Sequence, residues 1–339
     1  MAPKDGENVR ITFVGPLNST FVQRDIEILK KHFYLDIIDV PKKSSEWSRY
    51  ILRVKKSVKK SDIFFGWFAG WHTFPGIFYS KKHKKLSLIV VGGFDVASVP
   101  EIKYGAFANL KEKIPAKYVL KNTNKILVVD PSLKKKAMKN AKLDGNNIEY
   151  LPTTYDPNYW LKKGNKERMV LTVASIKNIK RIKIKGIDTF IKSAKYLPDV
   201  KFLIVGVKNG IREYIQKIAP KNVEVIGMLP QEKLLSYYQK AKVYCQLSIS
   251  EGLPNTLCEA MLCECIPVGT RIDGISTAMG DVGFYVPYGD PKITAYAIKK
   301  ALEAPEDMGK KARERIKNMF PLEMREERLV KIITEMVGE

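Results

Sequence analysis

Short apolar runs alternate with amphipathic stretches along this chain. Val9 to Val14 is one such run, ends at Gly15, and predicts a β-strand. Asn18, Ser19 and Thr20 offer caps for a helix over about residues 21–32. Tyr34 to Val40 predicts a second strand. From Ser44 or Ser45 to about Val58 an amphipathic stretch sets Trp47, Ile51, Leu52 and Val54 on one side. Further strands are predicted at 62–65, 86–91, 126–129 and 148–151. The run at 86–91 is continuous and β-branched, as in a parallel strand buried on both faces. A second series follows, with strands at 170–174, 201–205, 223–226 and 243–247 and helices at 187–197 and 232–240. Helices at 293–301 and 312–319 come next, and a last amphipathic one runs from Pro321 to about Val337. Strands alternating with helices predict an α/β architecture of doubly wound parallel sheets.

The chain has 339 residues, which suits two domains of ordinary size. The turn-like segment YDPNYW at 155–160 reads as the linker, giving expected domains at 1–158 and 159–320, with 321–339 as a terminal helix. Ligands of open parallel sheets bind beyond the carboxyl ends of the strands. In the first half those positions are Gly15 to Asn18, the 68–74 loop with Trp71 and His72, Gly92 to Asp95, and Pro131-Ser132. Gly92-Gly93 permits positive φ and close approach of a ligand, and Asp95 offers a group to orient a hydroxyl or move a proton. In the second half, the loop SIKNIKRIKIKG after Ala174 carries Lys177, Lys180, Arg181, Lys183 and Lys185 before Gly186. Basic side chains there suit a diphosphate.

The densest chemistry lies in Ser250 to Gly269, SEGLPNTLCEAMLCECIPVG. Glu251 and Glu259 stand eight positions apart, with Gly252 and Pro254 between them, so one uninterrupted helix does not carry both. A loop over 251–254 is expected, then a helix with Asn255 as N-cap and Leu257, Met261 and Leu262 at helical spacing. Residues 266–268 then form a short buried strand. A helix start also offers backbone N–H groups that suit a phosphate.

This stretch resembles the Glu-x7-Glu signature of family 4 glycosyltransferases. Gly252 follows the first acid, Ala260-Met261 the second, and Ile266-Pro267-Val268 closes the unit as in that family. Lys185-Gly186 matches the family's Lys-Gly pair. The family's Arg falls at Ser175 in one alignment and at Arg181 in another, and its His-Gly-x-Asp run is Gly92-Gly93-Phe94-Asp95 here, without the His. The resemblance implies a GT-B fold: two facing Rossmann-like domains, an interdomain cleft, and a last helix returning to the first domain. It implies a retaining transfer from a nucleotide-sugar co-substrate, with no cofactor and no metal ion. Glu251, Lys185 and Asp95 are then the candidate catalytic residues. Donor contacts are expected at Gly15, Arg181, Gly206, Gly227, Gly252, Leu253, Pro254, Asn255, Thr256 and Glu259. Acceptor contacts are expected at Asn18, Trp71, His72 and Gly93. Glu251 would hold sugar hydroxyls and Glu259 the ribose.

Charge widens the picture. The formal net charge is +23, spread as +13 over residues 1–160 and +10 over 161–339. Such a balance suits phosphorylated ligands, an anionic membrane surface or nucleic acid. Six aromatics from Trp67 to Tyr79 precede Lys81, Lys82, Lys84 and Lys85, a combination that fits a peripheral membrane contact, while most of these rings are expected in the core. Cys245, Cys258, Cys263 and Cys265 lie in apolar segments without zinc-ligand spacing and read as reduced core thiols. MAPKDGENVR has no apolar signal core, and no run reaches the roughly 18–20 apolar residues of a membrane span. A cytoplasmic protein, at most peripheral at the inner membrane face, is therefore expected. The acceptor is expected to be a lipid-linked or cell-surface glycan. A soluble sugar acceptor, and a non-catalytic polyanion-binding protein of the same fold, are the alternatives. A nucleic-acid partner does not account for the 251–269 unit, and no strand is followed by the G-x-G-x-x-G of a dinucleotide-binding dehydrogenase.

Overall fold

The computed structural model describes residues 9–338. Residues 1–8, where the lack of an apolar leader was read, lie outside the described residues. The chain divides into two compact units, one running to Thr153 and resuming at Glu323, the other spanning Thr154–Leu322.

The first unit alternates β1 (Arg10–Gly15), α1 (Thr20–His32), β2 (Tyr34–Asp39), α2 (Trp47–Lys60), β3 (Ile63–Trp67), α3 (Phe74–Lys82) and β4 (Leu86–Val91). It continues with α4 (Leu110–Asn122), β5 (Lys125–Val128), α5 (Pro131–Ala141) and β6 (Ile148–Tyr150). Its six strands are all parallel, in the order β2-β1-β3-β4-β5-β6. The central strands are buried on both faces, as the unbroken apolar runs require: Phe13, Phe64, Phe65, Ile89 and Leu127 are inaccessible.

The second unit holds β7 (Glu167–Ile176), α6 (Ile179–Ile184), α7 (Ile187–Ala194), β8 (Lys201–Val207), α8 (Ile211–Ile218), β9 (Val223–Ile226) and α9 (Gln231–Lys240). Then come β10 (Ala241–Gln246), α10 (Asn255–Leu262), β11 (Ile266–Thr270), α11 (Asp273–Met279), β12 (Phe284–Val286), α12 (Pro291–Glu303) and α13 (Glu306–Met319). This sheet is also parallel, in the order β12-β11-β10-β7-β8-β9. All four cysteines are buried free thiols, as expected from their apolar surroundings. Among the described residues no helix is long and apolar enough to cross a membrane.

Several helices exceed what periodicity predicts. α4 contains Pro115, which argues against a helix interior, yet Asn109 caps its start by accepting from the Lys111 N–H at 3.0 Å. The basic stretch after Ala174, expected as a loop, winds into α6 because Asn178 accepts from the Arg181 N–H and Ile182 and Ile184 are buried.

The last helix, α14 (Leu322–Gly338), is held by one buried cation. Arg325 donates Nε and Nη2 to Asp25 of α1 at 2.6 and 2.7 Å. Its Nη1 donates to the carbonyls of Leu151 and Pro152 at 3.0 and 2.9 Å. Trp67 at the end of β3 donates its indole N–H to Asp25 Oδ2 at 2.9 Å, and the guanidinium lies over the Trp67 ring. Removing one partner of such a pair leaves a buried charge unmatched, so Arg325→Ala should lower stability by about 3–5 kcal/mol. The double variant Asp25→Ala/Arg325→Ala should cost less than the two single changes added together, as read by urea unfolding. Strict additivity would mean that the two groups do not act as one network.

Candidate functional site

In the second unit the chain leaves β10 at Gln246 and turns through Leu247 to Pro254 before α10 begins. Glu251 sits in that turn, and three side chains converge on its Oε1. Lys185 Nζ approaches to 2.5 Å, Ser248 Oγ to 2.6 Å and Gln246 Nε2 to 3.0 Å. Only 12% of the Glu251 side chain and 17% of the Lys185 side chain is exposed, so the ion pair is formed in a largely water-poor pocket. Gln246 is fixed in turn, since its Oε1 accepts from the Tyr244 hydroxyl at 3.2 Å.

Lys185 reaches Glu251 because Gly186 permits it. Gly186 has φ +64°, and a Cβ there would stand 2.1 Å from the Leu247 carbonyl oxygen. The β7–α7 connection thus lies directly against the end of β10. Of the other basic residues of this stretch, Lys177, Lys180 and Lys183 are exposed. Arg181 is half-buried, and its Nε donates to the Ser175 carbonyl at 3.1 Å. The two positions that compete for the family's Arg are therefore in contact with each other.

α10 starts at Asn255, with Pro254 in the cap position. Asn255, expected as the N-cap, instead accepts from the Tyr155 hydroxyl at 2.7 Å. Its side chain is drawn sideways onto the segment that follows β6, and Pro254 supplies the extended backbone of the cap. Gly252 is closely covered, since a Cβ on Gly274 would lie 1.9 Å from the Gly252 carbonyl oxygen, and Leu253 is buried. Thr256 Oγ1 stands 3.5 Å from Gln246 Oε1. Glu259, one turn into the helix, is 9% exposed and accepts from the Tyr238 hydroxyl at 3.2 Å. Burial and this carboxylate together hold the Tyr238 phenol well above its usual range. Gly206 has φ +101° and lies against the Ala174 carbonyl, and its N–H donates to the Gly227 carbonyl at 3.2 Å. One unit thus gathers Lys185, Glu251, Thr256 and Glu259 around the carboxyl ends of β7 and β10, with Gly206 on β8 and Gly227 just past β9.

The remaining candidates lie in the first unit. Gly15 ends β1 against Trp67, Val22 and Phe13. Asn18 is exposed beside it. Trp71 is 46% exposed, whereas His72 donates Nε2–H to the Trp67 carbonyl at 2.8 Å, and burial lowers its pKa. Asp95, expected at a glycine-rich strand end to orient a hydroxyl or move a proton, has its carboxylate turned to backbone. It is 1% exposed, and its oxygens accept from the N–H groups of Gly93 at 2.9 Å, Ala69 at 3.1 Å and Gly92 at 3.4 Å. It ties the loop after β3 to the loop after β4. Gly93, at φ +135°, supplies one of those donors. Sequence reasoning missed Gln246, Ser248 and Asp273, whose carboxylate accepts from the Glu251 N–H at 3.4 Å. The available signal was Gln246, a polar residue closing the apolar strand VYCQL.

Residues 161–319 match the family model described as glycosyl transferases group 1. The match covers 159 of the 339 residues. The trehalose synthase of Thermococcus litoralis is 28% identical over 229 residues, covering 62% of this chain and 53% of that protein. The alpha-galactosylglucosyldiacylglycerol synthase of Streptococcus pneumoniae is 33% identical over 90 residues, covering 24% of each chain. The chain spans about half the length of the trehalose synthases it matches. The crystal structure of Anabaena HepE in complex with UDP and glucose superposes with a TM-score of 0.77 at 13% identity, covering 96% of this chain and 100% of that one. The fold is therefore GT-B.

Burial raises the Asp95 carboxyl from 3.8 to about 6, against its three N–H donors, which lower it. Between those pH values the folded protein holds a proton that the unfolded chain has released, so this group lowers stability as pH rises through that window. Asp95→Asn removes the titration. The change in Tm from about pH 4 to about pH 6.5 should therefore be less unfavourable in the variant than in the wild type. Parallel profiles would show that Asp95 does not titrate there.

Proposed function

We propose that this protein is a metal-independent, retaining glycosyltransferase. It moves a sugar from a nucleoside diphosphate to a hydroxyl of a lipid-linked or cell-surface glycan at the inner face of a membrane. The observation that carries the reading is the Lys185–Glu251 pair, set beside the start of α10 at the carboxyl edge of the segment that matches the group 1 family. An ammonium has three N–H donors, so one bond to Glu251 leaves two for a phosphate oxygen. As the anomeric carbon parts from the diphosphate, negative charge grows on the leaving oxygen. Lys185, Arg181 and the positive end of the α10 dipole would meet it. Glu251 then has two tasks: it orients Lys185, and it accepts from the sugar hydroxyls. Glu259 accepts from the ribose hydroxyls, with the Tyr238 hydroxyl steadying its far oxygen. Asp95 acts indirectly, by holding the loops that carry Trp71, His72 and Gly93 toward the acceptor. That HepE has been solved with UDP and glucose supports a nucleotide donor for a protein of this fold.

A soluble sugar acceptor is the second reading, favoured by the trehalose synthase similarity over 62% of the chain. Both readings share the donor site.

Thermal shift with UDP, GDP and ADP, in the presence of a chelator, tests the donor site. A nucleotide at a hundred times its Kd should stabilise the wild type by about 2.7 kcal/mol. Glu259→Ala should lose that shift. Equal shifts from every polyphosphate, abolished by salt and unchanged in Glu259→Ala, would leave only a charge-binding protein. In turnover assays Lys185→Ala should lower kcat about a hundredfold or more, the usual scale for one donor to developing charge. An unchanged kcat would remove Lys185 from the mechanism.

A further inference from the structure

We propose that the helix layer formed by α3 and α4 docks on a membrane surface containing anionic phospholipid; this deepens the reading of a membrane-borne acceptor and rests on it. α3 and α4 lie side by side, with the Phe74 and Tyr118 rings 4.6 Å apart. Trp71 and Phe78 flank Phe74 at 6.0 and 6.4 Å. On α4, Leu110, Ile114 and Tyr118 recur at a spacing of four and so share one face. That face is turned outward: Leu110 is 72% and Ile114 58% exposed, while Ala116, Val119 and Leu120 are buried beneath. Exposed apolar residues scattered singly are ordinary, but a contiguous ridge of rings and aliphatic chains marks a contact surface.

The ridge ends in cations. Lys81, Lys84, Lys85 and Lys121 line an open cavity of about 520 Å³ where α3 and α4 meet the starts of β4 and β5. Its described lining contains no carboxylate, and Lys81 is oriented by Asn122 Oδ1 at 2.7 Å. A further cation, Lys55 of α2, stands 5.8 Å from the Tyr79 ring.

This chemistry favours a lipid surface over single-stranded nucleic acid. Bases stack on π faces, and Leu110 and Ile114 have none. Acyl chains accept both aliphatic and aromatic groups, and aromatic rings settle at headgroup depth while lysines meet the phosphates. Topology adds a reason. Helices between parallel strands run back against them, so Trp71 and Leu110 stand at the carboxyl edge of the sheet and the lysine cavity at the opposite edge. A membrane lying on this layer would bring its headgroups up to the edge where Trp71 stands.

Co-sedimentation tests this with vesicles of equal parts phosphatidylglycerol and phosphatidylcholine, and with phosphatidylcholine alone, at low salt. The wild type should sediment with the anionic vesicles only. Lys84→Gln and Lys121→Gln should each weaken retention roughly fivefold. Phe78→Asn/Ile114→Asn should also release the protein, with an unchanged Tm showing that the fold survives. Three results would overturn the proposal: no retention of the wild type, equal retention on neutral vesicles, or retention indifferent to these variants. The nucleotide thermal shift is read on the same samples. Its persistence without vesicle binding would sink the docking surface and leave the donor reading standing, and its loss with vesicle binding intact would do the reverse.

Discussion

A buried guanidinium organises the first unit. Arg325 is 1% exposed, a position that strongly disfavours a charge unless it is fully matched. It is matched by both oxygens of Asp25 and by two backbone carbonyls, and the indole N–H of Trp67 donates to the same Asp25 carboxylate. Four separate pieces of chain therefore meet at one point: α1, the end of β3, the segment after β6, and α14. A hydrophobic contact would tolerate sliding of α14, whereas two parallel N–H···O bonds to one carboxylate fix its rotation and its height. Trp67 is also the last residue of β3, so the same network sets where the ligand-edge loop carrying Trp71 and His72 departs.

The ligand edges use a second device, backbone brought closer than any side chain allows. Gly186 lies on the Leu247 carbonyl, Gly274 on the Gly252 carbonyl and Gly206 on the Ala174 carbonyl. The first of these contacts draws the segment carrying Lys185 onto the end of β10, beside Glu251. In the first unit a side chain does the same work. The Asp95 carboxylate gathers three N–H groups from two loops, and it does so at an energetic cost, since burial disfavours its charge.

The chain's positive charge divides along the same lines. A few cations are turned inward and bonded, as Lys185 and Arg325 are. Many stand outward on helices, and those at the ends of α3 and α4 adjoin exposed rings. The first kind shapes a site, and the second kind shapes which surface the protein meets.

The sequence by itself determined the alternation of strands and helices, the two parallel sheets and the 251–269 unit. These are local properties: unbroken β-branched runs, glycines at strand ends, and two acids separated by a helix breaker. It also marked Lys185 and Gly186. It left α3, α4 and α5 unmarked; in α4 the internal Pro115 blurs a helical pattern that tertiary packing then stabilises. The tertiary structure alone decided what each polar residue does. Asn255 bonds Tyr155 instead of capping its helix, Asp95 turns its carboxylate to backbone, and Arg325 finds Asp25 three hundred positions away. The reason is physical. Apolar periodicity is written into neighbouring residues, but a hydrogen-bond partner is chosen among whatever groups the fold brings within about 3 Å, and no local pattern encodes that choice.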